Sequence, residues 1–140
     1  MKGIYCLLIN VKKDINPKIG ALGKIPFKKG SYVYIGSAQN SIEKRVSRHF
    51  SRNKKVRWHI DYLLADSNVN LKKAVYKKAN KEQECKTACF FNKFEEPIKG
   101  FGCSDCRCYS HLFRLKSLKN LNSLDLKELK WHANGLTAVH

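Results

Sequence analysis

Gly3–Asn10 reads Gly-Ile-Tyr-Cys-Leu-Leu-Ile-Asn, a short apolar run rich in β-formers, and predicts a strand. Residues 11–30 form a basic loop punctuated by Pro17, Gly20, Gly23, Pro26 and Gly30, with room for a short strand. Ser31–Gly36 is β-branched and aromatic, and predicts a second strand ended by glycine. Asn40 followed by Glu43 fits a capping box opening a helix over about 41–52, with Ile42, Val46 and Phe50 as its buried stripe. A second helix is expected over about 56–66, with Ile60, Leu63 and Leu64 inward. Leu71–Tyr76 predicts a strand, and Asn80 with Gln83 a capping pair for a helix over about 81–92. Gly100 and Gly102 bound a Cys-rich loop, and His111–Leu115 reads as a further strand. Leu124, Leu126, Leu129 and Trp131 suggest a C-terminal helix over about 123–133.

The first two strands lie too close in sequence for a helical crossover, so the class is α/β or α+β with a small, largely antiparallel sheet. Nothing repeats and no linker divides the 140 residues, which fits one domain over 1–140. Hydrophobic residues at 43% and aromatics at 11% suffice for a packed core and exclude global disorder. The longest unbroken apolar run, Ile4–Ile9, is far short of a membrane span. It ends at Asn10 and a lysine pair without a small-residue cleavage site. We therefore expect no signal peptide, no membrane partner and a cytoplasmic protein.

Charge changes the picture. With 28 Lys+Arg against 11 Asp+Glu, the formal net charge is +17, and a polyanion is the usual partner that relieves such self-repulsion. The charge is uneven: half of the basic residues precede residue 59, where the only acids are Asp14 and Glu43. Lys44, Arg45, Arg48, Arg52, Lys54, Lys55 and Arg57 form an acid-free cluster with Phe50 and Trp58 in and beside it. That density and aromatic company suit a phosphate-contacting surface better than a solvated face.

The six cysteines fit a reduced compartment. Cys6, Cys85 and Cys89 lie in apolar stretches and read as small hydrophobes. Cys103, Cys106, Cys108 and His111 place four soft ligands close together. Zinc wants four tetrahedral S/N donors but usually draws ligand pairs from two separated loops. A zinc site, hydrogen-bonded thiols in a tight loop, and a disulfide all remain open readings of this segment.

Candidate chemistry begins with two phenols. Tyr5 lies within the first strand and Tyr34 near the end of the second, so pairing of the strands lets both project from one edge of a sheet. Arg45 and His49 follow one turn apart at the edge of the Ile42/Val46/Phe50 stripe, where a cleft-lining pair would sit. Each also has an ordinary structural role, as a core tyrosine or a snorkelling arginine. His59 is either a pocket residue or a helix-packing histidine.

Gly3-Ile4-Tyr5 and Tyr34-Ile35-Gly36, followed by a helix bearing Arg45 and His49, resemble the GIY-YIG nuclease superfamily. The string Gly30–Ala38, then Arg45-x2-Arg48-His49, then Trp58-His59-Ile60-Asp61-Tyr62-Leu63, is similar to its archaeal and bacterial branch that stands alone or is fused to DNA-repair domains. Gly100-Phe101-Gly102, with Ser104-Asp105-Cys106, Cys108 and Ser110-His111-Leu112-Phe113, is similar to that branch's tail motif. The resemblance covers roughly residues 3–115. It implies a three-stranded, β-β-α-α-β-α core over about 3–95, with a Cys-rich loop and extension over about 96–140.

The resemblance also implies phosphodiester hydrolysis with one divalent metal, Mg²⁺ or Mn²⁺. Tyr5 would act as general base or orient the attacking water, and Tyr34 would line the same pocket. A phenol titrates near 10 and needs a nearby cation or metal to serve as a base at neutral pH. Arg45 would supply charge to the transition state, and His49 a second hydrogen-bonding group. Glu84 matches the metal ligand, with Glu82 as rival; a first-turn acid is also stabilised by the helix dipole. Two departures stand: Ser37 occupies a place where many active relatives carry lysine, and the loop from Asn10 to Ser31 is longer than in compact ones.

The expectation is therefore an endonuclease acting on DNA, with RNA also open, held through Lys44, Arg48, Arg52, Lys54, Lys55 and Arg57. A non-catalytic nucleic-acid-binding accessory domain, serving a DNA-repair enzyme, is the alternative. A third reading is a small zinc-stabilised RNA-binding protein.

Overall fold

The structure is a computed structural model, and it describes residues 1–51, 54–103, 106–132 and 135–138. Its centre is β1 (Gly3–Val11), paired antiparallel with β2 (Gly30–Ala38) on one side and β3 (Val69–Lys78) on the other. Cys6, with Leu8 partly buried beside it, faces one side, and Tyr5, Leu7, Ile9 and Val11 the other. Helices cover both faces, so the unbroken apolar run of β1 belongs to a strand buried on two sides rather than one.

On the Tyr5 face lie α1 (Ile42–Phe50), α2 (His59–Leu64) and the long loop after β1, with Ile42, Val46, Ile60, Leu63, Ile19 and Phe27 buried there. On the Cys6 face lie α3 (Glu82–Phe94) and α4 (Lys119–Ser123), through Ala88, Phe91 and Leu121. Each such aliphatic or aromatic side chain contributes roughly 1.5–3 kcal/mol relative to exposure.

The α+β class with an antiparallel sheet stands, and the expected order β-β-α-α-β-α is found through α3. The sheet itself is larger than three strands. Its order is β4-β5-β2-β1-β3-β6-β7, with β4 (Glu96–Pro97), β5 (Leu112–Arg114), β6 (Lys127–His132) and β7 (Gly135–Ala138). All described strand pairs are antiparallel.

The expected C-terminal helix is the clearest correction. Its second half is β6, whose backbone pairs with Ala74–Tyr76 of β3 and whose Leu129 is buried. Leu124 and Leu126 already sit two apart, and an open edge on β3 supplies pairing partners that local periodicity cannot reveal. The loop expected over 11–30 contains two isolated antiparallel bridges, Ile15 to Phe27 and Lys18 to Lys24, around a 3₁₀ turn at Gly20–Leu22.

Two caps also differ. Ser41, not Asn40, caps α1, its side chain accepting from the N–H of Lys44. The amide of Gln83 bonds the backbone carbonyl of Asn80, while α3 begins after Lys81 without a side-chain cap. In α1, His49 rather than Phe50 takes the third fully buried place, since i, i+4, i+7 tracks the helix better than strict steps of four.

Candidate functional site

Register brings the two tyrosines together. Tyr5 lies opposite Gly36, and Leu7 opposite Tyr34, so both phenols stand on the α1 face as diagonal cross-strand neighbours. A Cβ on Gly36 would collide with the Tyr5 ring; glycine there is a space for the phenol. Gly102, at φ +74°, performs the same service for Tyr34, with a Cβ meeting its ring at 3.2 Å.

Behind Tyr5 stands His49. Its Nε2 is 2.7 Å from the Tyr5 hydroxyl, and its ring packs edge-on against Tyr34 and tilted against Trp58. Burial pushes the Tyr5 phenol well above its ordinary value, with the Arg45 guanidinium beside it pulling the other way. Burial likewise raises Tyr34. Burial, with Lys54 and Arg48 nearby, holds His49 down at about 3, so the Tyr5–His49 pair is neutral near pH 7.

A cleft of about 780 Å³ opens over these phenols at the end of β2. Tyr5, Tyr34, Arg45, Ser37 and Glu84 line it, and Lys44, Arg48, Arg57 and Lys81 give it a cationic rim. Glu84 is the sole acid among the described lining residues. The first turn of α3 brings it round the end of the sheet, where Ser37 Oγ donates to its Oε1 at 2.7 Å and His111 Nδ1 lies 3.0 Å from its Oε2. Arg45 donates through Nη1 to the carbonyl of Ser37 at 3.2 Å.

Trp58 organises the basic side of the cleft. The guanidinium carbons of Arg45 and Arg48 lie 4.7 and 4.2 Å from its ring centre, within cation–π range. Arg48 also donates in a two-pronged contact to the carboxylate of Asp61, both bonds at 2.9 Å. Asp61 is fully buried and accepts from the backbone N–H groups of Arg57 and Trp58 as well. Burial would raise this carboxyl, but these donors hold it below its ordinary value.

The anticipated phosphate-binding residues thus separate by position. Lys44, Arg48 and Arg57 reach the cleft. Lys54 turns back to the end of α1, its Nζ donating to the carbonyls of Arg48 and His49, and Lys55 is exposed beyond the cleft. Arg52 lies outside the described residues. His59 is both a pocket and a packing residue: it lines the cleft while its Nδ1 accepts from the N–H of Gly102 at 2.8 Å, and burial lowers its pKa.

Glu84 also touches a second centre. Cys85, Cys106, Cys108 and His111 could hold a metal ion: their ligand atoms all lie within 4.8 Å of one another. Cys103 does not join them, because its Sγ turns to the carbonyl of Phe101. Its place is taken by Cys85 from α3, so the ligands come from two separated segments after all. The apolar stretch around Cys85 suggests a small hydrophobe, and only the docking of α3 against the loop reveals its company. Burial raises the Cys108 thiol strongly, and its effect on Cys106 is outweighed by the Cys108 N–H and the His111 charge, which lower that thiol. For His111, burial pulls down but the Glu84 contact prevails and raises it.

Sequence reasoning missed Trp58 as the platform for two arginines, Lys81 on the rim and Ser37 as the partner of Glu84. The aromatic beside a basic run signalled the first; nothing local marked the others. Among the described residues no helix is long and apolar enough to cross a membrane. A family model described as Domain of unknown function DUF123 matches residues 4–136. No curated protein and no solved structure matches the chain.

Proposed function

We propose that this chain, which belongs to the DUF123 family, is an endonuclease of the GIY-YIG type that hydrolyses DNA phosphodiester bonds with Mg²⁺ or Mn²⁺. One observation carries the reading: the Tyr5 hydroxyl, the Arg45 guanidinium and the Glu84 carboxylate line a single cleft with a cationic rim. A phosphodiester needs a group to orient water, a positive charge for the transition state and a hard oxygen ligand for a divalent ion.

The donor set fits such an ion in one particular way. Mg²⁺ binds through one or two carboxylates, with substrate phosphate and water completing its shell. Glu84 offers one carboxylate, and its contacts with Ser37 and His111 leave lone pairs on both oxygens. When bound, the ion would polarise the phosphate and stabilise the leaving oxygen.

The chain's own residues do the rest. Tyr5 accepts a hydrogen bond from the attacking water and hands its own proton toward His49 Nε2, so the phenol need not rest as an anion. The forming imidazolium is opposed first by burial, then by Lys54 and Arg48, and is favoured by Asp61. Arg45, braced by Trp58 and the Ser37 carbonyl, faces the phosphate oxygens. Lys44, Arg48, Arg57 and Lys81 grip the strand.

A second reading, a binding module without turnover, draws support from Glu84, both of whose oxygens are already engaged by side chains. Nicking of supercoiled and branched DNA with Mg²⁺ or Mn²⁺ separates the two. Cleavage abolished by Glu84→Ala and Tyr5→Phe supports the nuclease. Retained binding without cleavage of any of these substrates leaves the module.

A further inference from the structure

Three thiols and one imidazole face a common point beside the cleft. Cys85 projects from the first turn of α3, Cys106 and Cys108 from the loop after Phe101, and His111 from the entry to β5. With Zn–S near 2.3 Å and Zn–N near 2.0–2.1 Å, a tetrahedral site of three sulfurs and one nitrogen sets its ligand atoms about 3.5–3.8 Å apart. The Cys106 Sγ to His111 Nε2 separation is 3.4 Å, and all four ligand atoms fall within 4.8 Å.

The second ring nitrogen of His111 is equally informative. Nδ1 is 3.0 Å from Glu84 Oε2 and 3.3 Å from the carbonyl of Ile35, which leaves Nε2 turned to the thiols. A metal-bound histidine normally gives its other N–H to a carboxylate or carbonyl, which fixes the ring and strengthens the ligand. Glu84 is therefore shared: one oxygen steadies His111 and the other meets Ser37 at the cleft.

We infer that Cys85, Cys106, Cys108 and His111 form a closed structural zinc site whose histidine, through Glu84, fixes the carboxylate of the neighbouring cleft. Four protein ligands leave no open position, so the ion holds α3 to the loop and does no chemistry itself. Soft thiolates select zinc over the hard ion considered for the cleft. The zinc site stands on its own geometry; only the use made of Glu84 rests on the nuclease reading.

Metal analysis of the full-length protein, purified with zinc supplied and then dialysed, tests it. One zinc per chain is expected in the wild type and in Cys103→Ser, and a lost or much weakened site in Cys85→Ser and Cys106→Ser. Cobalt(II) added to the metal-free protein should give the intense visible absorption of a tetrahedral thiolate site. Glu84→Gln should weaken zinc binding by about 10–100-fold, as removal of such an outer partner does. A folded wild type that takes up neither metal overturns the site. So does zinc lost with Cys103→Ser but kept with Cys85→Ser, and unchanged affinity in Glu84→Gln overturns the link to Glu84. These readouts are independent of cleavage: a zinc-bound protein that cuts nothing keeps this inference and defeats the nuclease.

Discussion

The Tyr5 hydroxyl and Nε2 of His49 are 2.7 Å apart in a buried contact between β1 and α1, beneath the cleft that Tyr5 lines. Each partner is pushed by burial toward its neutral form, the phenol upward and the imidazole down to about 3.

That displacement makes stability depend on pH. An unfolded histidine titrates near 6.5, so below that value the unfolded chain binds a proton that buried His49 refuses. Stability linked to this group is complete above pH 6.5 and is lost as pH falls toward 3. Between pH 7 and 5 the loss should be about 2 kcal/mol, at about 1.4 kcal/mol per unit. His59, also lowered by burial, acts in the same direction. Urea unfolding at both pH values should show a smaller loss for His49→Gln than for the wild type, and equal losses would count against a neutral His49.

Removing only the hydroxyl separates structure from chemistry. Tyr5→Phe keeps the ring beside Gly36 but leaves the buried Nε2 of His49 without its partner, a cost of about 1–3 kcal/mol. Cleavage should fall at least about 100-fold, the scale of a lost proton-transfer group. Rates and melting curves measured on one preparation decide it: a rate that falls only with the folded fraction makes Tyr5 a core residue.

Asp61 is the anion on which the basic segment is folded. Asp61→Asn leaves the Arg48 guanidinium without its charge partner and weakens the acceptor for two backbone N–H groups. A loss of about 1–3 kcal/mol is expected, from a buried acceptor weakened beneath an arginine that still reaches the cleft. The denaturant midpoint reports it. A change within about 0.5 kcal/mol would place the pair among weak surface contacts.

The cationic residues should divide by role when DNA is titrated against salt. Lys44→Ala and Arg57→Ala should each reduce the log–log slope by about 0.9, the value for one phosphate on duplex DNA. Lys54→Ala should leave the slope and lower stability instead, because its ammonium is engaged with the α1 carbonyls. A slope that responds to Lys54 and not to Lys44 would move the binding face.

Much of this was legible in the sequence because it is local. The Ile4–Ile9 run, the Ser31–Gly36 strand and the Ile42 and Val46 places in the stripe of α1 follow from propensity and period, and the cross-strand tyrosines follow from pairing the two strands. What escaped depends on tertiary partners. Cys85 lies far along the chain from Cys106, and nothing in its own turn shows that α3 will dock it on the loop. The stretch at 127–132 became a strand because β3 had an edge to offer. Glu84 could be matched to a role, but its hold on Ser37 and His111 exists only once both faces of the sheet meet at one end.

Gly3-Ile4-Tyr5 and Tyr34-Ile35-Gly36 look like separate signatures on paper. In three dimensions they interlock like a key and its ward: the tyrosine of the first occupies the void left by the glycine of the second. The glycine of the first in turn yields to the carbonyl of Lys77 on β3, where a Cβ has no room. The Tyr5 phenol is thereby seated on bare main chain, a floor that side-chain drift cannot reshape. A side chain added at Gly3 or Gly36 would have to be answered on the adjoining strand, so the two tripeptides work as one fitting.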